Sequence, residues 1–254
     1  MKLFIKPFRK IEKGLWIINE WSFEYFHWLA DALPRLLAAG DYQQYGPVLL
    51  PEYYATRPYV VESLQRLNVP VLFFNPRKRL LVKELTVVSP TASTGNFNEP
   101  AILPVRERLM VHGKQAVRKI YISRQKAAKR RITNEEEVIA IFREAGFEIH
   151  YFEDYPFTRQ LEIMGETRVL AGLHGAGLTN MLFMPPGGSI LELRNVGDTH
   201  SNSFYSQAAA MRHSYYYLLC QGSSADTHNT DFLVDTAQLK AALADMNNAE
   251  IKSL

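Results

Sequence analysis

The chain has 254 residues, 47% of them hydrophobic and 22% charged, with a formal net charge of +3. That length suits one large domain or two small ones, the composition excludes disorder over most of the chain, and the charge is too small to imply nucleic acid as a partner by itself. The single cysteine, Cys220, excludes an internal disulfide and a cysteine-based metal site, and at the end of the apolar run YYYLLC it reads as a core residue. The opening MKLFIKPFRKIEK is too charged and too short in apolar length for a signal peptide. No apolar run approaches the roughly 20 residues of a membrane span, so the expected compartment is the cytoplasm.

In chain order, Gly14–Ile18 reads as a short strand. Ser22 to Ala39 reads as a long helix with Phe23, Phe26, Leu29, Ala30 and Leu33 on one face, kinked or split at Pro34. Strands are expected at Pro47–Leu50, Val69–Phe74 and Leu80–Val88, with a helix at about Tyr59–Leu67. Thr91–Pro100 (TASTGNFNEP) is a loop, and Pro104–Val117 a helix that links the two halves. The second half alternates more regularly. Its strands are Lys119–Ser123, Phe147–Tyr151, Arg168–Ala171, Ser189–Leu193 and Tyr215–Leu219. Thr133-Asn-Glu-Glu136 fits a capping box opening a helix that Gly146 stops. Further helices are Thr158–Glu166, Gly175–Phe183, Asn202–Met211 and a final amphipathic one at Asp235–Asn247. Strand–helix alternation with apolar, β-branched strands predicts a parallel sheet covered on both faces.

The segment Val169–Leu193 (VLAGLHGAGLTNMLFMPPGGSILEL) joins a buried strand, a glycine turn carrying His174, a helix start and a second strand. A helix start after a glycine turn can hold an anion, because its first N–H groups are unpaired and small residues let the ligand approach. His174 is a donor to phosphate or substrate, Asn180 either contacts the ligand or holds the loop, and Glu192 is placed for ribose hydroxyls or a structural bond. Arg124, just past a strand end, and Arg130 and Arg131, before the capped helix, supply guanidinium forks suited to phosphate. The chain has no GxxxxGK[ST], GxSxG, HExxH or DxD motif. The Glu135–Glu137 pair is explained as charge at a helix N-terminus. Lys114–Arg131 holds four Arg and four Lys with no acid, which reads as a solvated basic face or as a patch for phosphates or an anionic membrane surface. His27 and Asp31, four apart on one helix face, form a surface ion pair or activate an acceptor hydroxyl, with Asp31 as first choice of base and His27 as second.

Three pieces of the chain resemble the glycosyltransferase family 61 domain: YISRQKAAKRRITNEEEV (Tyr121–Val138), HGAGLTN with PPGG and ILE behind it (His174–Glu192), and FHWLADALPRL (Phe26–Leu36), similar to the family's H-x-x-x-D-x-x-P helix. The resemblance implies an α/β fold of GT-B type, with two Rossmann-like domains facing across a cleft. Residues 1–115 would form the acceptor-side domain and 116–230 the donor domain, with 231–254 a C-terminal helix that can pack back on the first. It implies inverting, metal-independent transfer from a nucleotide sugar, generally UDP-linked, to a glycan or glycolipid hydroxyl, in polysaccharide or capsule synthesis at the inner face of a membrane. No cofactor is implied, and the missing DxD agrees with that. Position by position, Arg124, Arg131, His174, Gly175, Ala176, Gly177, Asn180 and Glu192 would belong to the donor site, while His27 and Asp31 would face the cleft. The alternatives are a nucleotide-sugar processing enzyme, epimerase-like, on the same fold, and a non-catalytic binding module.

Overall fold

A computed structural model describes residues 8–113, 115–198, 201–224 and 229–252. The chain divides into two units, Met1–Leu109 and Met110–Leu254. In the first, β1 (Phe8–Trp16) begins well upstream of the expected Gly14, and runs in register beside β4 (Arg79–Val87) from Phe8↔Arg79 to Trp16↔Val87. Ion pairs across this ladder, Lys13 with Glu84 and Lys83 with Glu12, use the charged residues that hide the strand from a search for apolar alternation. Between them come α1 (Tyr25–His27), α2 (Leu33–Ala38), β2 (Val48–Pro51), α3 (Pro58–Arg66) and β3 (Val71–Phe74); α4 (Glu99–Leu109) follows β4. The sheet is parallel throughout, in the order β3-β2-β1-β4.

Pro34 does not break the long helix. Residues Trp28–Ala32 between α1 and α2 form a π-turn, in which Leu33 N–H reaches back to Trp28 O. The wider turn lets the chain absorb a residue that has no N–H to give. The linking helix expected at Pro104–Val117 is α4 instead. It starts where the amides of Ala101 and Ile102 both bond Asn98 O (3.0 Å each) and lies wholly in the first unit. Its buried face is Ile102, Val105 and Leu109, a helical spacing that continues through Pro104.

The second unit contains β5 (Arg118–Ile122), α5 (Glu135–Glu144), β6 (Glu148–His150), α6 (Phe157–Gly165), β7 (Thr167–Leu173), β8 (Ser189–Asn195), α7 (Ser203–Ala210), β9 (Ser214–Gly222), β10 (Phe232–Leu233) and α8 (Thr236–Lys252). The sheet order is β10-β9-β8-β7-β5-β6, parallel except for β10. Counting this unit's parallel strands from β5, the order is 2-1-3-4-5, a doubly wound sheet whose strand order reverses between β5 and β7. Alternate residues Tyr121, Ala171, Leu173, Leu191, Leu193 and Leu218 pack with Val138 and Phe142 of α5 and with Leu239, Leu243 and Met246 of α8. The C-terminal helix is therefore part of the second unit's core, where the sequence allowed it to return to the first. Cys220 lies in this core, as the apolar run suggested, and burial pushes its thiol up to about 12.

Two local expectations give way to other bonds. The capping box does not form: Thr133 Oγ1 donates to Phe232 O (3.1 Å), Asn134 exchanges two bonds with Val234, and α5 starts at Glu135 without a side-chain cap. The helix expected at Gly175–Phe183 is a 3₁₀ helix, Ala176–Phe183. Side chains supply donors to its carbonyls, Gln207 Nε2 to Thr179 O (3.0 Å) and His213 Nε2 to Met181 O (3.1 Å). Among the described residues no helix is long and apolar enough to cross a membrane.

Candidate functional site

Ligands of doubly wound sheets bind beyond the carboxyl ends of the strands where the order reverses. Here that place holds the loop after β5, with Arg124 and Arg130, and the turn after β7, with His174 to Gly177. Arg124 donates through Nε to Arg130 O and through Nη2 to Lys129 O, both at 3.1 Å, so its own loop curls around it. A Cβ on Gly175 would lie 2.9 Å from Arg124 Nη1 and 3.8 Å from Arg130 Nη2, which puts both guanidinia against that glycine. Gly175 has φ +155°, and its lack of a side chain is what lets the two cations approach. Arg130 itself takes φ +57°, a left-handed conformation uncommon for a residue other than glycine, and strain of this kind gathers at ligand sites. Burial, then the charge of Arg130, lowers the Arg124 guanidinium below the usual arginine range, and burial lowers Arg130. Among the described residues neither forms an ion pair with a carboxylate, and Arg130 Nε is buried without a partner.

His174 stands beside them. Its Nδ1 donates to Glu192, whose other carboxylate oxygen accepts from the Tyr215 hydroxyl. Burial and Glu192 together push the Tyr215 phenol above its ordinary range. The imidazole packs edge-on to Phe204 at 5.1 Å. With Nδ1–H held by Glu192, Nε2 faces Asp198 Oδ2 at 4.0 Å. Glu192, expected at a ribose, is 1% exposed with both oxygens engaged, so its geometry is that of an orienter of His174. Asn180 is 1% exposed and donates to Gly177 O at 3.0 Å, which holds the turn. Leu178 N–H to Gly175 O (3.0 Å) is the first bond of the 3₁₀ helix, so the amides of Ala176 and Gly177 precede it.

Arg131 stands apart from the Arg124–Arg130 pair. Its side chain is 55% exposed and turns to Asp231 (3.9 Å), while the neighbouring Arg130 takes the place against Gly175. Consecutive arginines in a loop point different ways, and only the backbone turn at Arg130 decides which enters the site. The segment Asp231–Val234 fixes that turn: Asp231 accepts from Arg131 N–H, Phe232 N–H donates to Arg131 O, and Thr133 N–H to Phe232 O. Several cations of the basic stretch have partners of their own. Arg118 pairs with Glu148 and Glu166, Lys126 with Asp154, Lys119 bonds Asn247 and Lys129 bonds Asn229; Lys114 lies outside the described residues. Glu135, read from sequence as helix-end charge, is 5% exposed and accepts from Ser123 Oγ (2.6 Å) and Tyr121 OH (3.2 Å). It thereby steadies the end of β5 directly before Arg124.

In the first unit the order reverses between β1 and β4. A cavity of about 390 Å³ lies beyond their ends, lined among others by Asn19, Asp31, Arg35 and the loop Pro90–Asn98. Asp31 Oδ2 bonds His27 Nδ1 at 2.8 Å, with both side chains mostly buried. The π-turn carries Asp31, while His27 ends α1. Arg35 is 5% exposed and donates twice to Val88 O, pinning the start of the Pro90–Asn98 loop.

Two strand-end sites on doubly wound sheets agree with many chemistries. The family model described as Glycosyltransferase 61 matches residues 25–191 of this chain. The chain belongs to glycosyltransferase family 61. The match takes in the His27–Asp31 helix and the turn of His174, and stops at Leu191. An EGF domain-specific O-linked N-acetylglucosamine transferase of Drosophila melanogaster is 37% identical over 101 residues, 39% of this chain and 19% of that protein. A xylan glycosyltransferase of Arabidopsis thaliana is 28% identical over 88 residues, 33% of this chain and 18% of that one. A beta-1,2-xylosyltransferase of Oryza sativa subsp. japonica is 35% identical over 109 residues, 40% of this chain and 19% of that one. The matched segments thus span about a fifth of these family 61 relatives.

The position of Gly175 gives a direct check on the arginine pair. If the pair takes a diphosphate, Gly175→Ala is expected to weaken UDP binding about tenfold, since its Cβ displaces a charge-assisted donor on Arg124. Calorimetry measures the loss, and an unchanged far-UV spectrum shows the fold intact. An unchanged affinity would mean that Arg124 Nη1 faces no ligand.

Proposed function

We propose that this protein transfers a sugar from a nucleoside-diphosphate donor, UDP-linked in the first instance, to a hydroxyl of a glycan acceptor. Transfer proceeds with inversion and without an essential metal. The arrangement is of GT-B type, in which the second unit takes the donor and the first the acceptor, and polysaccharide synthesis is the setting. The observation that carries the reading is the Arg124–Arg130 pair, two guanidinia packed against Gly175 with no carboxylate ion pair among the described residues. Like charges held together and partly desolvated destabilise the ligand-free site. A diphosphate offsets both terms, and it offsets them more as the bond to the sugar breaks and negative charge grows on the leaving oxygen. Fixed guanidinia fill the role that a divalent cation plays where acidic residues hold one. His174, oriented by Glu192, stands beside the pair.

In the first unit Asp31 on Nδ1 fixes the His27 tautomer and leaves Nε2 to accept a proton, so His27 is the base and Asp31 its positioning residue. This reverses the order of preference drawn from sequence. The acceptor hydroxyl gives its proton to His27, its oxygen bonds the anomeric carbon, and the bond from that carbon to UDP breaks with its electron pair on the phosphate oxygen.

The test is calorimetry with UDP, GDP and CMP, each with and without EDTA, followed by transfer assays with UDP-sugars. Micromolar UDP binding that EDTA does not change supports the reading. Loss of binding in EDTA overturns the metal-independent part. Binding of no nucleoside diphosphate overturns the donor site, and donor turnover without an acceptor gives the processing enzyme instead.

A further inference from the structure

Trp21 is a large apolar side chain left 58% exposed, yet its backbone is held firmly. Trp21 N–H donates to Asn19 Oδ1 (3.0 Å), the Ser22 hydroxyl donates to the same oxygen (2.9 Å), and Asn19 N–H donates to Ser22 Oγ (2.9 Å). Ser22 is fully buried, and Glu24 N–H closes the turn on Trp21 O at 2.9 Å. A turn this closely bonded fixes the direction in which the indole leaves the backbone. The ring lies 6.0 Å from the His27 imidazole, itself bonded to Asp31. Asn19 and Asp31 both line the cavity of about 390 Å³ beyond β1 and β4, together with Thr94, Asn96 and Asn98. That volume falls in the roughly 300–1,000 Å³ range of small-molecule sites. An exposed aromatic face beside a cavity of amides, hydroxyls, the Asp31 carboxylate, the Arg35 guanidinium and apolar side chains matches a pyranose, which offers a flat patch of C–H groups and a rim of hydroxyls. The negative face of the indole attracts the C–H patch, and side-chain amides and carboxylates bond the rim.

We propose that Trp21 and this cavity form the acceptor subsite, in which one pyranose of a glycan stacks on the indole while its hydroxyls bond Asp31, Asn19 and the Asn96–Asn98 loop. The proposal rests on the transferase reading, and gives its acceptor a chemical class: a neutral sugar chain rather than a peptide hydroxyl. The cavity lining mixes amides and hydroxyls with apolar side chains, its Asp31 and Arg35 carry opposite charges, and the stacking surface suits a ring.

The experiment is ligand-detected NMR on the full chain, with UDP present, using xylohexaose and chitohexaose as probes and a serine-containing peptide as comparison. At least one oligosaccharide is expected to bind. Trp21→Ala should weaken it about fivefold to tenfold, Trp21→Phe should recover part of the loss, and UDP affinity should stay the same in all three proteins. Normal UDP binding with no oligosaccharide binding, or oligosaccharide binding that ignores Trp21→Ala, would overturn the subsite and leave the donor site standing. Binding of the peptide alone would overturn the glycan assignment. Absence of UDP binding would remove the transferase reading and the subsite with it.

Discussion

Replacing His27 by alanine is expected to lower kcat for sugar transfer by about 10²–10⁴-fold, the range that general-base catalysis supplies, with KM for the donor nearly unchanged. The donor's contacts are assigned to residues of the second unit, so loss of the base should leave donor binding alone. Asp31→Asn should also lower kcat steeply. An amide facing Nδ1 can donate where the carboxylate accepts, and the imidazole then turns its acceptor nitrogen the wrong way. Initial rates at saturating donor, taken across pH, measure both variants. The His27→Ala profile should lose the limb that reports the free base, and near-UV circular dichroism should show both variants folded. A full rate in His27→Ala would remove the dyad from the chemistry, and a rate lost in Asp31→Asn but kept in His27→Ala would return the role of base to the carboxylate.

The second large effect is on the donor side and has an unusual sign in stability. Arg124→Ala should raise the Kd for UDP about 100-fold, the loss of a charge-assisted contact. It should also loosen the loop, because Arg124 holds the carbonyls of Lys129 and Arg130. Arg130→Ala should raise Kd about tenfold while leaving the Tm of the ligand-free protein equal or higher. Arg130 makes one long bond, to His174 O at 3.5 Å, and otherwise adds like charge and an unpartnered Nε to a confined place. Its removal therefore costs the folded state little and relieves repulsion of Arg124. Thermal unfolding with and without UDP reads both quantities at once. A large fall in Tm for Arg130→Ala without UDP would make the residue structural.

Much of the second unit was legible in sequence because its strands are apolar on both faces and its helices sit between them. Each expected strand there lies within a few residues of the observed one. The glycine turn at His174 was legible for a similar reason, since small residues at a strand end have few other uses. The misses share a physical cause: partners distant in sequence. Thr133 and Asn134 carry a capping pattern, but Phe232 and Val234, some hundred residues on, take their side chains. Glu192 looks available for a sugar until Tyr215, from the neighbouring strand, takes one oxygen. Nothing in the order of Arg130 and Arg131 says which of them turns inward. In the first half, β1 was half hidden because Lys, Arg and Glu stand where an apolar alternation was sought, and its identity comes from the strand it pairs with.

The stitching of Arg131–Asn134 to Asp231–Val234 also sets an order of events during synthesis. The loop that curls around Arg124 ends in residues whose backbone partners are made about a hundred residues later. As the chain leaves the ribosome, β5, α5 and the strands up to β9 can assemble, while the arginine loop waits for its seam. Competence to hold a nucleotide should therefore arrive late and abruptly, when residues 231–234 emerge and pair. A nascent chain stopped at β9 would carry every donor-site side chain and still lack the seam that holds its arginine loop.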